Sequence, residues 1–220
     1  MITQWDDDYQ RTKAIVKNGK KLSSPFAELA NWISAKFQVN VLNIEYELVE
    51  PDDTPRLMVI LETQDEQAKF QNGVHGNYLV IHQKAIAEQF GKLLREQGRH
   101  EFNLDRLFVA FSNFAEVARM EANSNIPDNE IKQLKKALSN DELWEISRSF
   151  HTVTFFFYTD EQVRKAERKG LRKTYAAKYY EILKRYDEFG YFTAENLLLF
   201  FDSKENFDNN YQSNWFYYYR

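Results

Sequence analysis

Four histidines, a few clustered carboxylates and one run of basic residues are the groups in this chain whose types and spacing invite a chemical reading. His75 and His82 stand seven apart and flank Gly76-Asn77-Tyr78-Leu79-Val80-Ile81. No third ligand sits near them at H-E-x-x-H or H-x-x-x-H spacing, so they do not read as a metal site. With residues 78–82 as a strand, His75 falls in the loop before it and His82 at its end. His100 lies in the charged turn Gly98-Arg99-His100-Glu101, and His151 adjoins the apolar segment Thr152–Tyr158. None has a neighbour that makes it a general base. The chain has no cysteine, which removes disulfides, thiolate zinc sites and thiol nucleophiles together. A nucleophilic serine needs a sharp strand-to-helix turn such as G-x-S-x-G, and none is present. Ser112, in Ala110-Phe111-Ser112-Asn113-Phe114, is explained as a helix cap.

The carboxylates cluster as Asp6-Asp7-Asp8, Asp52-Asp53 and Asp65-Glu66, all in turns or first helical turns, where solvent and the helix dipole account for them. The segment Asp202–Asp208 has Lys204 at its third position and no glycine at its sixth, so it is not a calcium loop. The seven glycines never form G-x-G-x-x-G or G-x-x-x-x-G-K. No catalytic residue, cofactor or metal ligand is assigned.

Charge segregation is the stronger signal. Between Arg164 and Arg185 stand nine basic residues and two acidic ones, whereas Glu45 to Glu66 holds eight acids against Arg56 alone. Arg164, Arg168 and Arg172, like Lys165, Lys169 and Lys173, step by four and line one face of a continuous helix. Such a stripe meets phosphates in nucleic-acid binders, and Phe155 and Phe157 are of the kind that stack bases on a sheet. Against that stand a net charge of −4 and the absence of an RNP-type motif. An acidic protein partner, or pairing with the acidic first half, suits the stripe as well. At the C-terminus Trp215, Tyr217 and Tyr219 alternate with Phe216 and Tyr218 as in a strand, and would offer hot-spot residues if that strand were at an edge.

The elements that must position these groups repeat. Met58–Thr63, an apolar strand ending at a threonine before the acidic turn Gln64-Asp65-Glu66, is echoed about ninety-five positions later by Thr154–Thr159 and Asp160-Glu161-Gln162. Helices around 84–97 and 171–189 follow, displaced by eighty-nine, and then strands Leu107–Phe111 and Leu197–Phe201, displaced by ninety and ending in capping residues Ser112 and Asp202. Upstream, Ser24-Pro25 opens a helix over 25–38, Val41–Val49 alternates as a half-buried strand, and the Pro51–Pro55 turn makes it one arm of a hairpin with a central second strand. Pro127 starts a helix over 127–138, and 143–158 is one bent strand or a tight hairpin.

This order resembles two tandem α/β-plait-like (ferredoxin-like) halves of α+β class, with mostly antiparallel sheets and helices on one face, from a degenerate internal duplication. The expected divisions are a polar arm at 1–23, a first half at 24–125 and a second at 126–220. The resemblance is one of element order and implies no activity.

The N-terminus lacks an apolar h-region and a cationic start, and no apolar run approaches the roughly 20 residues of a membrane span. A soluble cytoplasmic protein with no membrane partner is expected, and the wealth of Phe, Tyr, Asn and Lys suits a bacterial source. The reading is a non-enzymatic protein that binds another macromolecule, in the manner of a regulator, inhibitor or immunity protein. Its candidate surface is Arg164, Lys165, Arg168, Lys169, Arg172, Lys173, Trp215, Tyr217 and Tyr219. A small hydrolase or transferase, and a nucleic-acid binder using the Arg164–Arg185 stripe, are the alternatives.

Overall fold

The computed structural model describes residues 3–73, 77–138 and 142–220, so His75 lies outside the described residues. The chain divides into two compact units, Met1–Val117 and Ala118–Arg220, each with its own buried core. It is a mixed α+β protein with two three-stranded sheets among the described residues.

The first unit runs α1 (Asp7–Asn18), α2 (Phe26–Phe37), β1 (Val41–Val49), β2 (Thr54–Leu61), α3 (Gln64–Ala68), α4 (Val80–Glu96) and β3 (Phe108–Asn113), with the division falling inside α5 (Phe114–Ser124). The polar N-terminal segment is helical from Asp7. Asp7 and Asp8 lie at the positive end of α1, and Gly19 closes it at φ 59°, where a side chain would be strained. β1 and β2 form an antiparallel hairpin, and β3 joins β2 in parallel, which leaves β2 central. Strand alternation sends Ile44, Leu57, Val59, Leu61, Val109 and Phe111 to one face, where α2 and α4 bury Leu29, Ile33, Ile86 and Phe90 against them. Enclosing a side chain such as Phe90 contributes roughly 1.5–3 kcal/mol.

The second unit holds α6 (Asp128–Ala137), β4 (Leu143–Ser149), β5 (Thr152–Phe157), α7 (Asp160–Arg168), α8 (Leu171–Leu183), β6 (Leu198–Ser203), α9 (Lys204–Tyr211) and α10 (Trp215–Tyr218). Residues 143–158 are therefore a hairpin, and β6 pairs in parallel with its second strand. Ile146, Val153, Phe155, Phe157 and Leu199 face a core closed by Ile131, Leu134, Tyr175, Tyr179 and Leu183 of α6 and α8.

The two sheets share one register. Leu61 is opposite Asn113 and Phe157 opposite Ser203, so equivalent residues are ninety-six apart in the central strands and ninety in the third strands. Each hairpin has a bulge at the same place, between Val41 and Asn43 and between Leu143 and Glu145. Just past it Ile44 N–H donates to Asn43 Oδ1 (2.8 Å) and Ile146 N–H to Glu145 Oε1 (2.9 Å). At the far end Ala115 N–H donates to the Glu62 carbonyl (2.9 Å) and Glu205 N–H to that of Tyr158 (3.2 Å). The repeated threonines each form a capping box. Thr63 Oγ1 accepts from Glu66 N–H and its own N–H donates to Glu66 Oε2, and Thr159 does the same with Gln162.

Several expectations are corrected. Helices cover both sheet faces, not one: behind the first sheet lies α1, and behind the second lie α9 and α10. The residues capping the helices after β3 and β6 are Asn113 and Ser203, one beyond Ser112 and Asp202, because their side-chain oxygens reach Glu116 and Asn206 N–H. Pro25 rather than Ser24 precedes α2, while the Ser24 hydroxyl meets Gln97 Oε1 (2.8 Å). Residues 78–82 are not a strand; α4 starts at Val80, with the Leu79 carbonyl accepting from His82 and Gln83 N–H. The aromatic terminus is one helical turn. Gln212 and Ser213 turn the chain at φ 56° and 54°, and Asn214 then caps Phe216 N–H (2.9 Å). A run of five aromatic residues has no polar–apolar contrast between its two sides, so its alternation cannot specify a strand.

Candidate functional site

The histidines do not converge on a site. The His82 ring packs between Phe37 (4.9 Å between centroids) and Phe70 (5.6 Å), and His100 is exposed in its turn. His151 lies in the turn between β4 and β5 rather than on a strand. Among the described residues no group of three or more His, Asp or Glu is arranged to hold a metal ion, and no helix is long and apolar enough to cross a membrane.

Behind the first sheet the structure gathers charged groups that lie far apart in sequence. Asn43, Glu45 and Glu47 alternate onto the face that α1 covers. Arg11 reaches Asp8 (2.6 Å) and Glu45 (3.0 Å), Asn43 Nδ2 donates to Thr12 Oγ1 (3.0 Å), and Arg56 pairs with Glu47. Trp5, Asp6, Asp7, Asp8, Glu47 and Arg56 line an open cleft of about 540 Å³ there. The Asp8 side chain is only 16% exposed. Burial, with Glu47 and Glu45 adding to it, raises its pKa above the ordinary aspartate value, against the pull of Arg11 and Arg56. A carboxyl so held could deliver a proton, but Asp7, Asp8, Glu45 and Glu47 each also answer an arginine, as in a structural ion-pair network. Sequence spacing placed the Asp6–Asp8 cluster in a helix start and missed its meeting with β1. The available signal was the strictly polar outer face Asn43-Glu45-Glu47, which needs either solvent or a polar cover.

The basic run is split. α7 ends at Arg168, and Gly170, at φ 66°, turns the chain before α8, so Arg164, Arg168 and Arg172 do not line one helix. Arg172 is committed to its own unit. It pairs with Glu167, donates to the Leu199 carbonyl (2.6 Å) and lies over the Phe201 ring (5.2 Å). Lys165 pairs with Glu142 (2.8 Å), Lys184 with Glu181 (2.6 Å) and Arg185 with Glu130. The acids in these pairs all belong to the same unit as the cations. Arg164, Arg168, Lys169, Lys173 and Lys178 are exposed and have no ion pair among the described residues.

Gln83, eighty-nine positions before Arg172, occupies the matching place and donates to the Val109 carbonyl (2.6 Å). Tyr78 and Gln67 donate to the Phe111 carbonyl next along β3 (2.9 and 3.0 Å). The role of Arg172 is therefore to close a strand edge, which a count of positive charges could not reveal.

The terminal aromatics behind the second sheet form a stack. Trp215 lies parallel to Trp144 (5.9 Å, 3°) and edge-on to Phe156 (5.3 Å), and Phe207 completes the group. The Tyr218 hydroxyl donates to Asp202 Oδ2 and that of Tyr219 to Ser147 Oγ, both at 2.6 Å. Burial, then the Asp202 bond, pushes the Tyr218 phenol well up, so it stays a donor. Trp215, Tyr217 and Tyr219 do not share a strand face: Trp215 and Tyr219 stack one turn apart (5.8 Å), and Tyr217 pairs with Phe216. Phe216 and Tyr217 remain 68% and 48% exposed. α8 lies against the sheet face of Phe155 and Phe157 and the terminal turn against that of Phe156, so the basic and aromatic candidates are not one surface.

No family model, curated protein or solved structure matches the chain.

Proposed function

We propose that the protein is a non-enzymatic binding protein of inhibitor or immunity type, which acts by docking another macromolecule on the exposed face of α7 and α8. One observation carries this reading: among the described residues five exposed cations, Arg164, Arg168, Lys169, Lys173 and Lys178, have no ion pair, whereas Lys165, Arg172, Lys184 and Arg185 around them are paired. Residues 1–117 hold 17 acidic and 13 basic side chains, and residues 118–220 hold sixteen of each, so the whole formal charge of −4 belongs to the first unit. The unpaired cations of α7 and α8 are thus a local excess of positive charge on an acidic molecule. Unneutralised charge of this kind speeds and orients association with an oppositely charged partner.

In the same reading the two units are degenerate copies of one plait-like scaffold. The matched bulges, capping boxes and strand registers support a duplication, since convergence would have to reproduce each of them separately. One copy then keeps an acidic back face while the other acquires the basic helices.

The test is recovery of the tagged full chain from its source cell, with mass spectrometry of what accompanies it. A stoichiometric macromolecule that is lost when Arg164, Arg168, Lys169 and Lys173 are all changed to Glu supports the reading. Absence of any stoichiometric companion overturns it.

A further inference from the structure

Resting on that reading, we infer that the partner recognised by α7 and α8 is a protein presenting an acidic helix, with carboxylates one turn apart set against Arg164 and Arg168. These two arginines are four residues apart on α7, about 6 Å along its axis. That is also the separation of Asp or Glu side chains at i and i+4 on a facing helix. A planar guanidinium matches a carboxylate through two parallel N–H donors, so a pair of arginines at this spacing reads a pair of carboxylates by geometry as well as charge. Lys169, at the end of α7, and Lys173 and Lys178 on α8 widen the positive surface beyond the two forks.

Three observations favour a protein over a nucleic acid. Phe155 and Phe157, the aromatics that could have stacked bases, are both 0% exposed, and Tyr175 and Tyr179 on α8 are buried with them. The half-buried Tyr180 spends its hydroxyl on the Phe192 carbonyl. The exposed surface of α7 and α8 is therefore charged without being aromatic, whereas single strands are held by stacking as well as by charge. Exposed Glu161 stands one turn before Arg164 on the same helix, with Asp160 beside it. A phosphate backbone, one negative charge after another, would be repelled at those points, while a folded partner can place a base or a neutral residue there.

The experiment titrates the full-length protein with a labelled helical peptide of about three turns carrying Glu at i and i+4. A peptide of the same composition with the glutamates scrambled, and a labelled single-stranded uridine-rich RNA, are titrated in parallel. Expected are saturable binding of the ordered peptide that weakens as salt rises, weaker binding of the scrambled one, and a loss of about tenfold or more for Arg164→Glu with Arg168→Glu. Both residues are exposed, so the variant's melting temperature should stay at the wild-type value and report that folding is intact. RNA binding tighter than the ordered peptide, equal affinity for ordered and scrambled peptides, or an unaffected double variant would each overturn the inference. Failure to bind the peptide while the tagged chain still recovers a stoichiometric companion overturns the acidic helix alone; recovery of no companion removes the broader reading with it.

Discussion

The back of the first sheet and the back of the second are built on the same strands and closed in opposite ways. Behind β1 and β2 the cover is α1, supplied from the N-terminus and attached largely through Arg11, Thr12 and Asn43, with the Tyr9 ring stacked on Phe114 at 5.1 Å. Behind β4 and β5 the cover is α9 with the C-terminal turn, and its attachment is aromatic: Trp144, Phe156, Phe207 and Trp215. The difference traces to equivalent positions on the strands. Ile60 corresponds to Phe156 and Leu42 to Trp144, whose ring meets that of Phe156 (5.8 Å), whereas Asn43, Glu45 and Glu47 correspond to the still polar Glu145, Ser147 and Ser149. A sheet thus specifies the register and direction of its strands more tightly than the chemistry of its second face, and that face is where duplicated units are free to diverge.

The comparison can be broken most directly at Ile60 and Phe156. Phe156→Ala removes a fully buried ring from the aromatic cover and is expected to cost about 3–5 kcal/mol, against a cost for Ile60→Ala near the lower end of ~2–5 kcal/mol. Urea unfolding followed by tryptophan fluorescence would measure both. Equal losses would mean that the aromatic cover is no stronger than the polar one. Next in size are the capping threonines, where the scaffold is shared: Thr63→Ala and Thr159→Ala should each destabilise by about 1 kcal/mol. A clear inequality between them in the same denaturation experiment would argue that the two capping boxes, alike in geometry, are not alike in energy.

The smallest effect is a pH dependence confined to the first unit. Because the Asp8 carboxyl is held above its ordinary value, the folded unit binds that proton more tightly than the unfolded chain does. Its contribution is complete at pH below the ordinary aspartate value and is lost as pH rises through the raised one. Thermal melts across the acid range should therefore show the first unit weakening over that rise, and Asp8→Asn should flatten the trend. An unchanged slope in the variant would exclude Asp8 as its source.

Much of this architecture was legible in the chain. Alternation between Val41 and Val49, the Pro51–Pro55 turn and the strand–threonine–acid pattern are local signals, and local hydrogen bonds realise them as a hairpin and two capping boxes. What failed were features set by tertiary partners. Gly170 divides the basic run where the backbone turns left-handed, and spacing by four does not register such a break. The aromatic terminus alternates without polar contrast, so its pattern suits a strand and a helical turn alike, and Trp144, Asp202 and Ser147 decide where its rings and hydroxyls go. Of the candidate site, the exposed cations could be read from composition. The commitment of Arg172 to Leu199, and the meeting of α1 with Glu45, could not, because both join segments that are distant in sequence.

The side-chain donors on β3 and β6 have a consequence for how the protein fares in a crowded solution. An outer strand with unanswered carbonyls is a template on which a stray extended chain, or another copy's strand, can add and seed a fibril. Gln83, Tyr78 and Gln67 already answer Val109 and Phe111, and Arg172 answers Leu199. With Phe108, Leu198 and Phe200 in solvent, these bonds take the Val109 and Phe111 carbonyls of β3 and the Leu199 carbonyl of β6 away from an incoming strand at the edges where it would otherwise find them.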